Sequence, residues 1–330
     1  MRVLTALLVL AAAVPSSAHA GRLLTVRVDG SGQTTLASDP KASFGPTPCR
    51  AADGTITVLA ERPSRLSDRS YLIARPGAKA QWKRPPSGEI LDASFSPDCT
   101  RVAELYYVFP TESDRSGLLI RETSGKELGR LESDPEEWPT IAWSADGTKF
   151  AFDGWERGRG AVLRVVDARN GRVLARHATQ QAAVGSQAFS PDANALVYAE
   201  GERLLIMDAT TGKARALAGG KDGRSFRAPA WSPRGDQIAA VNSGGGVELL
   251  DPQTGHGPAL ETTAIFAEDM VWSPDASMIA MRFSSAKPGM ARWGLAVVPT
   301  APGSRARELV KPGGSTTLPV WDAASLVFGR

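Results

Sequence analysis

Few side chains in this sequence could carry out chemistry, and their spacing matches no common reaction. Of the three histidines, His19 lies in an apolar N-terminal stretch, which leaves His177 and His256 as candidate metal ligands or proton carriers. His177 follows a predicted strand and His256 lies in a predicted turn, so we expect both in exposed loops at opposite ends of their sheets. The sequence contains no G-x-S-x-G motif of the serine hydrolases. We therefore predict no catalytic residue, no metal site and no cofactor.

The composition is that of an ordinary globular protein. The chain has 330 residues, of which 42% are hydrophobic and 22% charged, with 33 Gly and 23 Pro. These proportions disfavour a disordered or fibrous chain. The 38 basic residues nearly balance the 35 acidic ones, and a formal charge of +3 is too small for the basic surface that nucleic-acid binding needs.

The first twenty residues have the features of a secretory signal peptide. Arg2 supplies a positive start, LTALLVLAAAV supplies an apolar segment, and the small residues of SSAHA predict cleavage after Ala20. The apolar segment is too short to span a bilayer, and no later segment approaches the required length. We therefore expect residues 1–20 to be a signal peptide and residues 21–330 to form one domain, periplasmic or secreted, with no membrane span.

A repeat of roughly 40–50 residues runs through the rest of the chain, a period typical of solenoids and propellers. The copies share a Ser-Pro-Asp-like turn followed by a short apolar run, and six of the seven have an aromatic residue before the turn. The copies are FSPDCTRVAEL from Phe95, WSADGTKFAF from Trp143, FSPDANALVYA from Phe189, WSPRGDQIAAV from Trp231, WSPDASMIAM from Trp272, a degenerate WDAASLVF from Trp321 and a weaker AADGTITVLA from Ala51.

Each copy also predicts four short strands, which we call A to D. Strand A ends at the aromatic residue, strand B follows the Asp turn, and strands C and D form a hairpin such as RLLIMDATTGKARALAG at 203–219. Strands of about five residues separated by Gly, Pro and Asp are normal for sheets. No segment keeps a helical period, so the sequence predicts an all-β protein.

The two ends of the repeat region complete each other. The last copy stops after its B strand, whereas residues 23–38, LLTVRVDGSGQTTLAS, read as a C–D hairpin without an A–B pair. Pairing that hairpin with strands in 318–330 would close a ring and cover the open faces of the first and last blades. We predict a seven-bladed propeller of four-stranded antiparallel blades, with six blades as the alternative.

The repeated turn and aromatic residues have structural explanations. Asp98, Asp146, Asp192 and Asp275 occupy the A–B turn, where a carboxylate accepts backbone N–H groups. The aromatic residues share one position of the repeat, and we expect their rings to fill the space between neighbouring blades. These aromatic residues are Phe95, Trp143, Phe189, Trp231, Trp272 and Trp321.

The two cysteines are predicted to remain free thiols. Aligned on the repeat, Cys49 lies two residues before the serine position and Cys99 lies three residues after it. Along a strand that offset is about 16 Å. A disulfide needs Cα atoms within about 7 Å of each other, so we expect no bond between them.

The FSPD turns after Phe95 and Phe189 and the WSPD turn after Trp272 resemble the TolB-type propeller repeat. That repeat occurs in the periplasmic translocation protein TolB, and similar repeats occur in prolyl oligopeptidase-like enzymes and oligogalacturonate lyases. The resemblance covers residues 23–330 and implies a propeller, with a peptidoglycan-associated lipoprotein as one candidate partner. The resemblance to the lyases also implies a metal held by histidines, for which this sequence has no matching cluster. Fold resemblance does not by itself carry an activity over.

The candidate binding residues lie in the B–C and D–A connections, which are long and irregular where the A–B and C–D turns are tight. Long loops on a rigid scaffold are where binding residues concentrate, and arginine and tryptophan are enriched in protein interfaces. The candidates are Arg65, Arg69, Arg115, Trp155, Arg157, Arg227 and Trp293. Acidic stretches at 132–137 and 261–269 are predicted on the same face.

These observations favour a monomeric, non-enzymatic scaffold that binds a protein or peptide of the cell envelope. A first alternative is a carbohydrate-binding or glycan-active propeller, in which Trp155 and Trp293 would stack on sugars. A second is a sensor domain that binds a small molecule in the central channel.

Overall fold

The computed structural model shows an all-β protein, with 28 strands in the part of the chain that it describes. It describes residues 21–39, 41–45, 48–61, 69–75, 78–85, 90–108, 115–133, 140–156, 160–179, 186–220, 223–262, 266–284, 293–311, 319–322 and 325–329. The predicted signal peptide, 1–20, lies outside this part of the chain. No helix long and apolar enough to cross a bilayer occurs in these ranges.

The strands are, in chain order, β1 (Gly21–Arg27), β2 (Thr34–Asp39), β3 (Ser43–Phe44), β4 (Cys49–Arg50), β5 (Ile56–Glu61), β6 (Arg69–Ala74), β7 (Gln81–Lys83), β8 (Asp92–Phe95), β9 (Arg101–Val108), β10 (Arg115–Glu122), β11 (Glu127–Ser133), β12 (Ile141–Trp143), β13 (Lys149–Glu156), β14 (Gly160–Asp167), β15 (Arg172–Ala178), β16 (Gln187–Phe189), β17 (Ala195–Glu200), β18 (Arg203–Asp208), β19 (Ala214–Ala218), β20 (Phe226–Trp231), β21 (Ile238–Asn242), β22 (Val247–Leu250), β23 (Phe266–Trp272), β24 (Met278–Ser284), β25 (Trp293–Pro299), β26 (Arg307–Val310), β27 (Val320–Asp322) and β28 (Ser325–Gly329).

These strands form seven antiparallel sheets, the blades of a β-propeller. Blades 2, 3, 4 and 6 are β8–β11, β12–β15, β16–β19 and β23–β26, each in A-to-D order. In blade 1, strand A is divided into β3 and β4, which both pair with β5. Blade 5 has β20, β21 and β22, and its fourth position is an isolated bridge between Glu248 and Ala259. The predicted fold class and blade count are confirmed.

The seventh blade joins the two ends of the described chain. Its strand order is β2-β1-β28-β27, so the N-terminal hairpin supplies strands D and C and the C-terminal strands supply B and A. Residues of β1 and β28 pair in antiparallel register from Leu23 with Gly329 to Arg27 with Ser325. The predicted closure of the ring is therefore confirmed.

The hydrophobic core lies between blades. The buried apolar residues fall into seven clusters, and each cluster draws from two neighbouring blades. Two of these clusters flank the closing blade: Leu23 and Val327 pack toward blade 1, and Leu24 and Phe328 pack toward blade 6. Seven such interfaces for seven blades make a complete ring, in which each sheet covers the faces of its neighbours.

The repeated tryptophans bridge neighbouring A strands, which contact each other around the ring. The indole N–H of Trp143 donates to the carbonyl of Ser94 at 3.3 Å, and that of Trp272 donates to the carbonyl of Ala230 at 2.9 Å. Each bond crosses from one blade to the preceding one. Trp231 differs, because its indole donates to Gly235 in its own A–B turn.

The A–B turns are built from a buried serine and the aspartate two residues later. In blade 6, Ser273 Oγ donates to Asp275 Oδ1 at 2.6 Å and accepts the N–H of Met278 at 2.9 Å. The same pair of bonds occurs at Asp98, Asp146 and Asp192 with their serines. These bonds satisfy polar groups that the turn would otherwise leave unpaired.

The Asp275 turn predicts an acid-sensitive contribution to stability. Hydrogen bonds from Ser273 and Ser277 lower the pKa of Asp275 from 3.8 to about 2. Because the folded-state pKa lies below the unfolded one, the carboxylate stabilises the fold above about pH 4, and this contribution is lost between about pH 4 and pH 2. We expect Asp275→Asn to lower the Tm at neutral pH. The difference in Tm between the wild type and the variant should become smaller as the pH falls from about 4 to about 2. A difference in Tm that stays constant down to pH 2 would contradict a stabilising role of the Asp275 carboxylate.

The predicted free thiols are wrong: Cys49 of blade 1 and Cys99 of blade 2 form a disulfide, with their Cα atoms 5.8 Å apart. The offset along the strand was overestimated because Cys99 does not continue strand A. It lies in the A–B turn with a φ of 58°, and its N–H donates a hydrogen bond to the carbonyl of Ser96 at 2.9 Å. The turn therefore brings Cys99 back to the level of the serine, beside strand A of the previous blade.

Candidate functional site

At the loop end of the propeller, where the B–C and D–A connections lie, the inner strands of blades 5 and 6 are both bulged. The pairing of β20 with β21 shifts register between Arg227 and Ala230, and Ala228 in that shift has a φ of 49°. A left-handed backbone at a non-glycine residue costs about 1 kcal/mol. In blade 6, the pairing of β23 with β24 shifts between Ala267 and Asp269. Bulges of this kind redirect side chains and are frequent beside functional sites.

The first bulge directs Arg227 across to blade 6. Its Nη2 donates to the carbonyl of Ala267 at 2.9 Å, and its Nη1 lies 3.3 Å from Oε2 of Glu268. The other carboxylate oxygen of Glu268 accepts the hydroxyl of Ser284 at 2.9 Å. Arg227 therefore connects the inner strands of two blades while its side chain keeps 46% of its surface exposed.

The second bulge places an ion pair against Trp293. Arg282 donates through Nη2 to Asp269, and its guanidinium lies 4.4 Å from the centre of the Trp293 ring. Arg282 and Asp269 are adjacent in the pairing of β24 with β23, and Trp293 begins the neighbouring β25 opposite Ser284. A cation over the face of a tryptophan is attracted by the ring quadrupole.

We call this group the loop-end cluster: Arg227, Glu268, Asp269, Arg282, Ser284 and Trp293. Its two arginines and two carboxylates neutralise each other, and all four keep between 28% and 46% of their side-chain surface exposed. Exposed ion pairs add little stability. They can instead exchange partners with the charged groups of a bound chain, beside an aromatic anchor of the kind found in interfaces.

The structure separates the predicted binding residues. Arg227 and Trp293 come together in the loop-end cluster, whereas Arg69 lies on blade 1. Arg65 and Arg157 are outside the described residues. Arg115 begins β10 and Trp155 lies in β13, so both belong to strands rather than to the predicted loops.

Arg69 is engaged within its own region. Its Nε lies 3.3 Å from Oε2 of Glu61, and its Nη1 donates to the carbonyl of Leu91. These residues line a cleft of about 210 Å³ with Asp92, where burial raises the pKa of the Asp92 carboxyl. Arg69 thus lies in a small cleft of its own on the same end of the propeller.

The histidines have different surroundings. The prediction for His177 is wrong, because it lies in β15 rather than in an exposed loop, with Nδ1 3.1 Å from the carbonyl oxygen of Gly212. His256 is exposed in the C–D turn of blade 5, with Nδ1 3.4 Å from Nη1 of Arg224. Within the described ranges, no three His, Cys, Asp or Glu side chains are grouped to hold a metal ion.

Of the six residues of the loop-end cluster, the sequence pointed to Arg227 and Trp293 as binding residues. The 261–269 stretch was noticed as acidic, but its pairing with arginines could not be read from the order of residues. Arg282 was missed because it lies inside an apolar B strand, where a single arginine resembles an exposed strand position. A bulge shifts the alternation of side chains by one residue, and the sequence carries no clear signal for it.

Comparison with known proteins shows the fold and no family. No protein-family model matches the chain, and no curated protein sequence matches it. Among solved structures, the one called "putative TolB" from Agrobacterium tumefaciens superposes with a TM-score of 0.57 at 13% identity. That alignment covers 94% of this chain and 98% of the other.

Two further structures have the same fold. A prolyl endopeptidase chain superposes with a TM-score of 0.60 at 14% identity, covering 86% of this chain and 45% of the endopeptidase. A chain of the mitotic checkpoint complex superposes with a TM-score of 0.58 at 12% identity, covering 92% and 93% of the two chains. At these identities the similarity establishes the propeller architecture alone, and function must be argued from the site.

Proposed function

We propose that this chain is an exported, non-enzymatic, TolB-like propeller that binds a protein or peptide of the cell envelope through its loop-end cluster. The secretory pattern of residues 1–20 supports export. The observation that carries the binding role is the pair of bulged inner strands that present Arg227 and the stacked Arg282–Trp293 pair at one end of blades 5 and 6. A peptidoglycan-associated lipoprotein is a candidate partner because the repeats resemble those of TolB.

The chemistry of the cluster fits a polypeptide with charges of both signs. Arg227 and Arg282 can bind carboxylates, and Glu268 and Asp269 can accept from lysine or arginine side chains. Trp293 supplies the large, partly exposed ring that anchors an interface. Because the cluster is neutral as a whole, we expect shape and the aromatic contact to dominate affinity, with a modest dependence on salt.

The test compares capture of envelope proteins by the purified protein and by Arg227→Ala/Trp293→Ala. Loss of an aromatic and an arginine anchor typically weakens binding by 2 kcal/mol or more, so we expect at least a ~30-fold loss of affinity for the captured partner. Arg305→Ala is the matched control, because Arg305 of blade 6 is also ion-paired, with Nε 2.8 Å from Oε2 of Glu261, and is 85% exposed.

Thermal unfolding of each variant checks that the fold is kept. Equal capture by the double variant and the wild type would reject the loop-end cluster as the binding site. A wild-type protein that captures glycan chains in place of a polypeptide would reject the proposed partner class.

A further inference from the structure

The interface between blades 1 and 2 encloses charged side chains around a cavity. The cavity has a volume of about 450 Å³ and lies toward the turn end, opposite the loop-end cluster. Its walls come from strands β5 and β6 of blade 1 and from β9 and β10 of blade 2. This volume is within the range of sites that bind small molecules.

One position of the repeat sets the chemistry of the inner wall. The residue eight positions after the turn serine packs against the preceding blade, and in blades 3 to 6 it is a buried Phe152, Tyr198, Ala240 or Met281. Blade 2 has Glu104 at this position, and its side chain is fully buried. A carboxylate therefore replaces an uncharged core residue and forms the inner wall of the cavity.

Glu104 accepts hydrogen bonds from side chains of both blades. The hydroxyl of Tyr71 donates to one carboxylate oxygen, and Nε of Arg121 donates to the other at 3.2 Å. Burial, together with the neighbouring Glu104 charge, raises the pKa of Tyr71 well above its usual value, so Tyr71 remains a hydrogen-bond donor. Burying an ion pair costs several kcal/mol where apolar residues would pack equally well. A pre-organised polar wall of this kind is suited to a ligand.

The mouth of the cavity carries two cations that make no ion pair with any residue in the described part of the chain. These are Arg75 and Lys83, both exposed, on the side of blade 1. Nε of Arg75 donates to Oγ1 of Thr55 at 3.3 Å. Asp53 also lines the mouth, but its carboxylate already accepts the N–H of Thr55 at 2.9 Å. Glu122 also lines the cavity, from blade 2, and its Oε1 lies 3.7 Å from Nζ of Lys126. Because Asp53 and Glu122 are engaged by these other groups, Arg75 and Lys83 favour an anionic ligand.

The middle of the cavity is apolar. Ile73 of blade 1 and Phe95 and Val102 of blade 2 line it, with Cys99 of the disulfide. From the mouth inward, the site thus presents cations, then an apolar section, then a carboxylate with its donors. A ligand that fits this site would carry a negative charge at the mouth, an apolar middle and a polar group at its inner end.

We propose that this cavity binds a small carboxylic acid with an apolar body. Its carboxylate binds Arg75 and Lys83, its body packs against Ile73, Phe95 and Val102, and a hydroxyl at its far end donates to Glu104. A carboxylate has about four acceptor sites, so Glu104 can accept this bond in addition to those from Tyr71 and Arg121. The site is at the other end of the blades from the proposed polypeptide surface, and neither proposal depends on the other.

The test is calorimetric titration with 3-(4-hydroxyphenyl)propionate and with its neutral amide. We expect the acid to bind at least tenfold more tightly than the amide, because only the acid can pair with the two cations. Arg75→Ala/Lys83→Ala should weaken binding of the acid at least tenfold. The matched control is Arg172→Ala/Lys213→Ala, which removes two exposed cations from blades 3 and 4 and should leave binding unchanged.

A second probe examines the inner wall. 3-Phenylpropionate lacks the hydroxyl, so we expect it to bind more weakly than the hydroxylated acid. Because Glu104 is buried, substituting it risks unfolding the protein, whereas Arg75 and Lys83 are exposed and can be changed safely. Absence of binding to both acids at millimolar concentration, or equal binding by the Arg75→Ala/Lys83→Ala variant, would overturn the proposal.

Discussion

Phe328→Ala should destabilise the protein by about 3–5 kcal/mol, the usual cost of removing a buried phenylalanine side chain. Phe328 lies in β28, is fully buried, and pairs directly with Leu24 of β1. It belongs to the cluster between blades 6 and 7, so its loss weakens both the packing of the closing blade and the attachment of the N-terminal hairpin. Urea unfolding followed by tryptophan fluorescence measures the change.

Phe44→Ala is the matched control for that variant. Phe44 lies in the two-residue strand β3 and is only half-buried, so we expect a loss of about 1 kcal/mol. If Phe328→Ala costs no more than Phe44→Ala, the last strand does not hold the first, and the closed ring would be refuted.

Removing the disulfide should cost about 4 kcal/mol. Cys49 and Cys99 are 50 residues apart, and a cross-link that closes a loop of this length restricts the unfolded chain by about that amount. We expect Cys49→Ala/Cys99→Ala to lower the free energy of unfolding, and the reduced wild type to behave like the double variant. Unfolding curves with and without reductant measure both.

Thiol titration of the unfolded protein provides an independent check. Without reductant it should detect no free thiol, and after reduction it should detect the two that the sequence contains. Two thiols in the unreduced protein would show that the bond does not form. In that case reductant should leave the stability of the wild type unchanged.

The architecture could be predicted from the sequence because every blade repeats the same local signals. The Ser and Asp residues of the A–B turns fix the strand boundaries, and residues 23–38 contain a hairpin that only strands near Trp321 could complete. The irregular strands could not be predicted in the same way. Strand A of blade 1 is divided before Pro48, since proline lacks the N–H that a strand needs.

The contacts between blades were harder to predict from the sequence. The Cys49–Cys99 bond depends on how far a turn folds back, and a count of residues along a strand cannot measure that distance. The loop-end cluster depends on two bulges, and no turn-forming residue in the sequence predicts them. Glu104 is the exception, because alignment of the B strands would have shown a carboxylate where the other copies have apolar or aromatic residues.

The pairing of β1 with β28 has a consequence for the biogenesis of this protein. Leu24 and Phe328, which face each other in the finished sheet, are about 300 residues apart in sequence. Contacts this distant slow folding, since most of the chain must be ordered before they form. The first hairpin must therefore remain without its partner strand until β28 has left the ribosome. Chaperones that recognise exposed strand edges would act during that interval, and circular permutants that open the chain within a tight turn should shorten it.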